Sequence, residues 1–105
     1  MKVGIDLVFI PRYEDKERLA SEVLSINEFN EYKKATNKAQ YLASRFALKE
    51  ALIKSIESSI LAVKLKDIEV VKKENGAVYV LYQDKKYECS LSHDGDYCVG
   101  VVLNA

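Results

Sequence analysis

Hydrophobic and polar positions alternate from the first residues of the chain. Val3, Ile5, Leu7 and Phe9 stand against Gly4, Asp6, Val8 and Ile10, a period of two that predicts a strand over residues 2–9. On that strand Asp6 points away from the Val-Ile-Leu-Phe row, beside Gly4, which leaves room for it. Pro11 suits the first turn of a helix, and RYEDKERLASEVL continues one. Ser25 followed three residues later by Glu28 is a capping box that opens a short helix through about Lys34. Thr36 or Asn37 can cap a long helix running to about Ser58. The second half changes character, because DIEVVKKE, AVYVLYQ, KYECSLS and YCVGVVL are four β-rich runs separated by turn residues. Asn75-Gly76 predicts a type I′ hairpin, and Asp84-Lys85 and His93-Asp94-Gly95-Asp96 mark the next two reversals. The pattern describes one α+β domain over residues 1–105. An N-terminal strand, short helices and one long helix pack on an antiparallel sheet.

The long helix breaks the usual separation of faces. In RFALKEALIK, Arg45 to Lys54, four charges sit among six apolar residues. At 3.6 residues per turn, Phe46, Leu48, Leu52, Ile53 and Ile56 form one broad apolar arc, with Arg45 and Lys49 inside it. Glu50 and Lys54 lie on the opposite side, walled by Ala43, Ala47 and Ala51. Small residues there let another chain segment or a ligand approach the helix closely.

Composition narrows the choices. The chain has 105 residues and no formal net charge, so recognition of nucleic acid or an anionic membrane by overall charge is excluded, and any electrostatic recognition is local. A small core makes association with further copies a reasonable expectation. Cys89 and Cys98 lack metal-ligand spacing and lie in strand-like runs, which reads as buried, reduced thiols in a cytoplasmic protein. The apolar start MKVGIDLVFIPR is too short to span a membrane and has no cleavage region.

Glu50 to Lys54 is the favourable order for a helical ion pair, a surface feature worth about 0.3–0.5 kcal/mol. Arg45 and Lys49 could carry their charges to solvent at the edge of the arc. Asp6 is harder to treat as incidental, since burying an unpaired carboxylate costs several kcal/mol and calls for a cation or a partner. Asp6 and Glu50 with nearby Lys and Arg are the parts of a magnesium-assisted phosphate site, although spacing alone does not bring the two carboxylates together. His93, the sole histidine, sits at a strand end where solvation alone would account for it.

GIDLV at 4–8, RFALKEALIK at 45–54 and LSHDGDYCVGVV at 91–102 together resemble the holo-acyl-carrier-protein synthases, the short bacterial 4′-phosphopantetheinyl transferases. Leu24-Ser25 with Glu28 and Asp67-Ile68-Glu69-Val70 extend the resemblance over nearly the whole chain. It implies that Asp6 and Glu50 hold Mg2+ on the pyrophosphate of coenzyme A. A serine hydroxyl of acyl carrier protein then attacks the β-phosphorus, as in fatty-acid biosynthesis, and adenosine 3′,5′-bisphosphate leaves. Asp6, Glu50 and Lys54 take the catalytic positions, with Lys54 matching a lysine suited to charge on the leaving phosphate. Arg45 and Lys49 match residues on the nucleotide side of the helix, and the Ser92-His93 turn matches a segment lining the same pocket. Arg12 matches an arginine that meets the acidic carrier protein. A water on the metal or Glu50 itself could take the serine proton. The resemblance further implies a homotrimer with sites between neighbouring subunits, which would explain charges on two sides of one helix.

One stretch departs from the family. Where the family has Gly-Thr-Gly-Ile after the helix, this chain has Glu57-Ser58-Ser59-Ile60, with a restricted backbone and an added negative charge near the expected phosphates. Lys16 and Arg18 are interleaved with Glu14, Asp15 and Glu17, so the carrier-facing helix is of mixed charge. A trimeric coenzyme A-binding module without transferase activity is the alternative that the lost glycines allow, and a scaffold with a merely structural Glu50–Lys54 pair is a second.

Overall fold

The computed structural model describes residues 1–58 and 62–105. Strand β1 (Lys2–Phe9) leads through a 3-10 helix (Ile10–Tyr13) into helices α1 (Glu17–Val23), α2 (Ile26–Lys34) and α3 (Lys38–Ser55). A second 3-10 helix (Leu65–Asp67) then precedes β2 (Glu69–Lys72), β3 (Val78–Tyr82), β4 (Lys85–Asp94) and β5 (Tyr97–Asn104). The strands form one antiparallel sheet in the order β1-β5-β4-β3-β2, so the N-terminal strand returns to pair with the last one. The architecture is the expected α+β arrangement, with α3 lying across one face of the sheet against β1 and β5.

The alanine wall of α3 explains how closely it lies. Ala43, Ala47 and Ala51 are fully buried. The segment that approaches them is the sheet, at two glycines. A Cβ added to Gly4 would stand 1.7 Å from the Ala51 carbonyl oxygen, and one on Gly100 would stand 3.1 Å from Leu48 Cδ2. The apolar arc of α3 fills two adjoining clusters, Leu42 with Val8 and Cys98, and Leu48 and Leu52 with Ile68, Val80 and Val102. Strand β1 turns Gly4, Asp6 and Val8 toward α3, which leaves Val3, Ile5 and Leu7 on the outer face, 57%, 56% and 64% exposed.

Three local expectations are revised. The first helix does not run continuously from Pro11. The chain turns between Tyr13 and Glu17, with Asp15 at φ 51°. Asn75-Gly76 is not a type I′ turn, because Gly76 alone has positive φ, at 88°. Lys73 N–H donates to Ala77 O and Gly76 N–H to Lys73 O, which is a three-residue loop closed by a left-handed glycine. The type I′ geometry occurs instead at Gln83 and Asp84, both at positive φ between the paired Tyr82 and Lys85. Helix α3 ends at Ser55, earlier than expected, in a Schellman motif: Ser58 N–H donates to Ile53 O and Glu57 occupies the left-handed position at φ 57°. The capping box at Ser25 and Glu28 is formed, and Asn37, not Thr36, caps α3.

Candidate active site

Asp6 and Glu50 are brought together because Gly4 seats β1 against α3 one turn above Lys54. The Lys54 ammonium donates to Ile5 O at 2.9 Å and to Asp6 Oδ1 at 3.1 Å. The ion pair of this helix face is therefore Lys54–Asp6, between elements, and not the Glu50–Lys54 pair that the spacing suggested. Asp6 is the buried member, its side chain 16% exposed against 53% for Lys54. Glu50 is half-buried and makes no ion pair among the described residues. Burial holds its carboxyl pKa above the ordinary value, the charge of Asp6 raises it further, and Lys54 opposes both. Glu50 feels the Lys54 charge without pairing to it, so Lys54 only partly offsets the two carboxylates.

Tyr13 adjoins this group and was not singled out from sequence. It is buried against Phe46 at a ring separation of 5.5 Å, and burial followed by the charge of Asp6 raises its phenol pKa. Nothing in the sequence marked it beyond its place at the end of the Pro11 turn. Arg12, one residue before, is exposed on the same 3-10 helix.

Arg45 lies about 140° around the helix from Glu50. Its guanidinium stacks over the Tyr41 ring at 4.1 Å and Nη1 donates to Ser44 Oγ at 3.1 Å. Only 9% exposed, it has a buried Nε with no hydrogen-bond partner among the described residues. It lines a cavity of about 430 Å³ together with Lys72, Lys73, Gly76, Glu88 and Ser90, so three cations stand there against one carboxylate. Those lysines and the Gly76 loop were also missed, because only the sheet brings β2 and β4 up to α3. Cys89 lines the same cavity, and burial pushes its thiol up to about 11, so it is an unreactive thiol.

Lys49 corrects an expectation. It does not face a nucleotide-binding surface: its side chain is completely buried, and its ammonium lies 2.6 Å from Glu28 Oε1, 2.6 Å from Ile68 O, and 2.9 Å from both Val23 O and Leu65 O. Glu28 in turn accepts from Ser25 N–H and Val70 N–H. The ammonium's donors are used up inside the core, and burial lowers its pKa against the opposing pull of Glu28. Lys49 therefore neither snorkels nor is available to a ligand. Ser92 and His93 lie within β4 and do not form a turn of their own. Ser92 pairs with Val99 beside a shallow recess shared with Leu7, while the His93 ring meets Gln40 of α3, Nε2 to Nε2 at 3.4 Å. Of the Glu57-Ser58-Ser59-Ile60 stretch, Ser59 and Ile60 lie outside the described residues, and Glu57 pairs with Lys2 at 2.7 Å.

Fold and site together define a small α+β protein equipped for phosphate chemistry, with carboxylates and a lysine on one side of α3 and a cationic cavity on the other. A family model for the 4′-phosphopantetheinyl transferase superfamily matches residues 2–102. The holo-acyl-carrier-protein synthase of Staphylococcus saprophyticus is 34% identical, over 96% of this chain and 94% of its own. That of Oceanobacillus iheyensis is 34% identical, over 96% and 92%. Among solved structures, the holo-acyl-carrier-protein synthase of Bacillus anthracis in complex with coenzyme A (3′,5′-ADP) superposes with a TM-score of 0.86 at 28% identity, covering 96% and 92% of the two chains. The coenzyme A complex of the Helicobacter pylori enzyme gives 0.84 at 28% identity, over 96% and 97%. The chain belongs to the 4′-phosphopantetheinyl transferase superfamily.

Proposed function

We propose that this protein is a magnesium-dependent holo-acyl-carrier-protein synthase. It transfers 4′-phosphopantetheine from coenzyme A to a serine of the apo-acyl carrier protein of fatty-acid synthesis and releases adenosine 3′,5′-bisphosphate. The observation that carries this reading is the convergence of Asp6, Glu50 and Lys54 at the β1–α3 contact, with Glu50 unpaired among the described residues. The donors fit Mg2+, which takes hard oxygen ligands, keeps several waters and needs only one or two protein carboxylates. Asp6 and Glu50 would hold it, and when bound it supplies neutralisation of pyrophosphate charge. Either a carboxylate oxygen of Glu50 or a water held in the same site would take the proton of the attacking serine hydroxyl. The new serine O–P bond forms as the bond to the leaving phosphate breaks, and Lys54 stabilises the charge that develops there.

Arg45, with Lys72 and Lys73 around its cavity, suits the nucleotide phosphates, and the His93 edge adjoins α3 near its start. Arg45 and Glu50 leave α3 in different directions, so a site using both needs a neighbouring copy. The bare row Val3, Ile5 and Leu7, with Leu103 beside it, supports such an assembly, a homotrimer with sites at subunit interfaces. Arg12, exposed beside Tyr13, is placed to meet an acidic carrier protein. Among the described residues no helix is long and apolar enough to cross a membrane. The free thiols of Cys89 and Cys98 support a cytoplasmic location. Incubation with apo-acyl carrier protein, coenzyme A and Mg2+ should add one phosphopantetheine mass to the carrier. A folded protein that binds coenzyme A but leaves the carrier mass unchanged would refute transfer.

A further inference from the structure

Lys54 sits where a metal would have to act. Its ammonium contacts the buried Asp6 carboxylate and also Ile5 O on β1, the edge strand of the sheet. Glu50 stands one turn before Lys54 on α3, without an ion pair of its own among the described residues. Lys54 thus only partly offsets the two carboxylates in the free protein. A divalent cation bonded to Asp6 at the usual magnesium–oxygen distance of about 2.1 Å would lie only a few ångströms from that ammonium. At that separation the two positive charges repel each other, so each weakens the other's hold on Asp6.

We propose that Lys54 is the resident counter-ion of the carboxylate pair, and that a divalent cation arriving with the diphosphate of coenzyme A displaces it from Asp6. This rests on the metal reading above. The side chain is built for such a move: it is half-exposed, flexible and on the last turn of α3, and water can replace it at the edge carbonyl of Ile5. Metal alone must break the Lys54–Asp6 contact and leave the ammonium without an anion. Metal with a diphosphate offers the ammonium a new one. Lys54 thereby couples the two ligands, so each strengthens the other.

The test is a calorimetric titration of Mg2+ into the full-length protein, with and without saturating coenzyme A and with no carrier present, so nothing turns over. In the wild type, coenzyme A should tighten Mg2+ binding. Lys54→Met should bind Mg2+ alone about tenfold more tightly than the wild type, and coenzyme A should add much less. Removing one charge some 5 Å from a dication in a largely aqueous dielectric corresponds to roughly fifteenfold before salt screening. Asp6→Asn in the Lys54→Met background should abolish the gain. Lys2→Met, which removes an exposed lysine paired to Glu57, should change Mg2+ affinity less than about twofold, separating local competition from bulk charge. Unchanged or weaker Mg2+ binding by Lys54→Met, with normal binding by the wild type, overturns the counter-ion role and leaves the metal reading intact. No Mg2+ binding by the wild type even with coenzyme A overturns both.

Discussion

Replacing Lys49 by methionine keeps the length of the side chain and removes its charge and its donors. Glu28 would then be a carboxylate 1% exposed, still accepting from Ser25 and Val70 N–H but with no ion pair left among the described residues. Removing one partner of a buried pair costs about 3–5 kcal/mol. The carbonyls of Val23, Leu65 and Ile68 lose a donor as well, and about 1 kcal/mol for each that stays dry is a fair upper addition. Against a total stability of about 5–15 kcal/mol, the variant should be barely folded at neutral pH. The expected result is a loss of about 3 kcal/mol or more at pH 8, read by urea unfolding followed by circular dichroism. Glu28→Gln added to Lys49→Met should recover part of the loss at pH 8, because the buried charge is gone. A Lys49→Met protein that keeps wild-type stability and instead shows a raised KM for coenzyme A would refute this reasoning. It would return Lys49 to the nucleotide site.

Three further outcomes follow from the same geometry. Glu50→Gln should reduce transfer at least about a hundredfold, as loss of one charge-stabilising group does. Because the folded pKa of Glu50 is raised, its contribution to metal-free stability is present below the unfolded pKa and lost as pH rises through the folded value. The variant should therefore lose less stability than the wild type between pH 4 and pH 7.5 in urea titrations without metal. Its advantage at the upper end is at most about 0.5–1 kcal/mol after discounting for solvent. A steeper loss in the variant would contradict this. Gly4→Ala should cost 3 kcal/mol or more, with Cβ 1.7 Å from a backbone oxygen, and Gly100→Ala nearer 1 kcal/mol, with its closest contact a leucine methyl at 3.1 Å. Equal losses in chemical denaturation would show that β1 does not set the helix–sheet distance. Glu57→Gly should stabilise by about 0.5–1 kcal/mol, since a non-glycine residue holds the left-handed position and the exposed bridge to Lys2 contributes little. A lower urea midpoint would mean that the Glu57–Lys2 pair outweighs the backbone strain.

Much of the fold was legible because its signals are local. The capping box at Ser25, the alternation of β1 and the turn residues before β4 and β5 each depend on neighbours within a few positions. Where those signals failed, the cause was competition between local options. Asn75-Gly76 could close either a two- or a three-residue loop, and the Val71–Tyr79 and Lys72–Val78 pairing selected the longer one. Pro11 opened a helix as its fixed φ allows, but the chain turned again at Asp15 before α1 began. The motifs around Asp6, Glu50 and Lys54 were legible through family resemblance. The Glu50–Lys54 spacing on its own suggested a different pair.

The sequence by itself determined the elements, the α+β class and the unusual charge of α3, because periodicity and capping chemistry are written in consecutive residues. Tertiary structure alone decided what each charge does. Arg45 and Lys49 occupy the same arc one turn apart, yet Arg45 reaches a cavity with an Nε unpartnered among the described residues while Lys49 is sealed among carbonyls. Nothing in RFALKEALIK distinguishes them, because Glu28, Leu65 and Ile68 reach Lys49 from distant parts of the chain. Lys54 likewise chose Asp6 over Glu50 because Gly4 draws β1 against the helix, and a contact made by the absence of a side chain leaves no periodic trace.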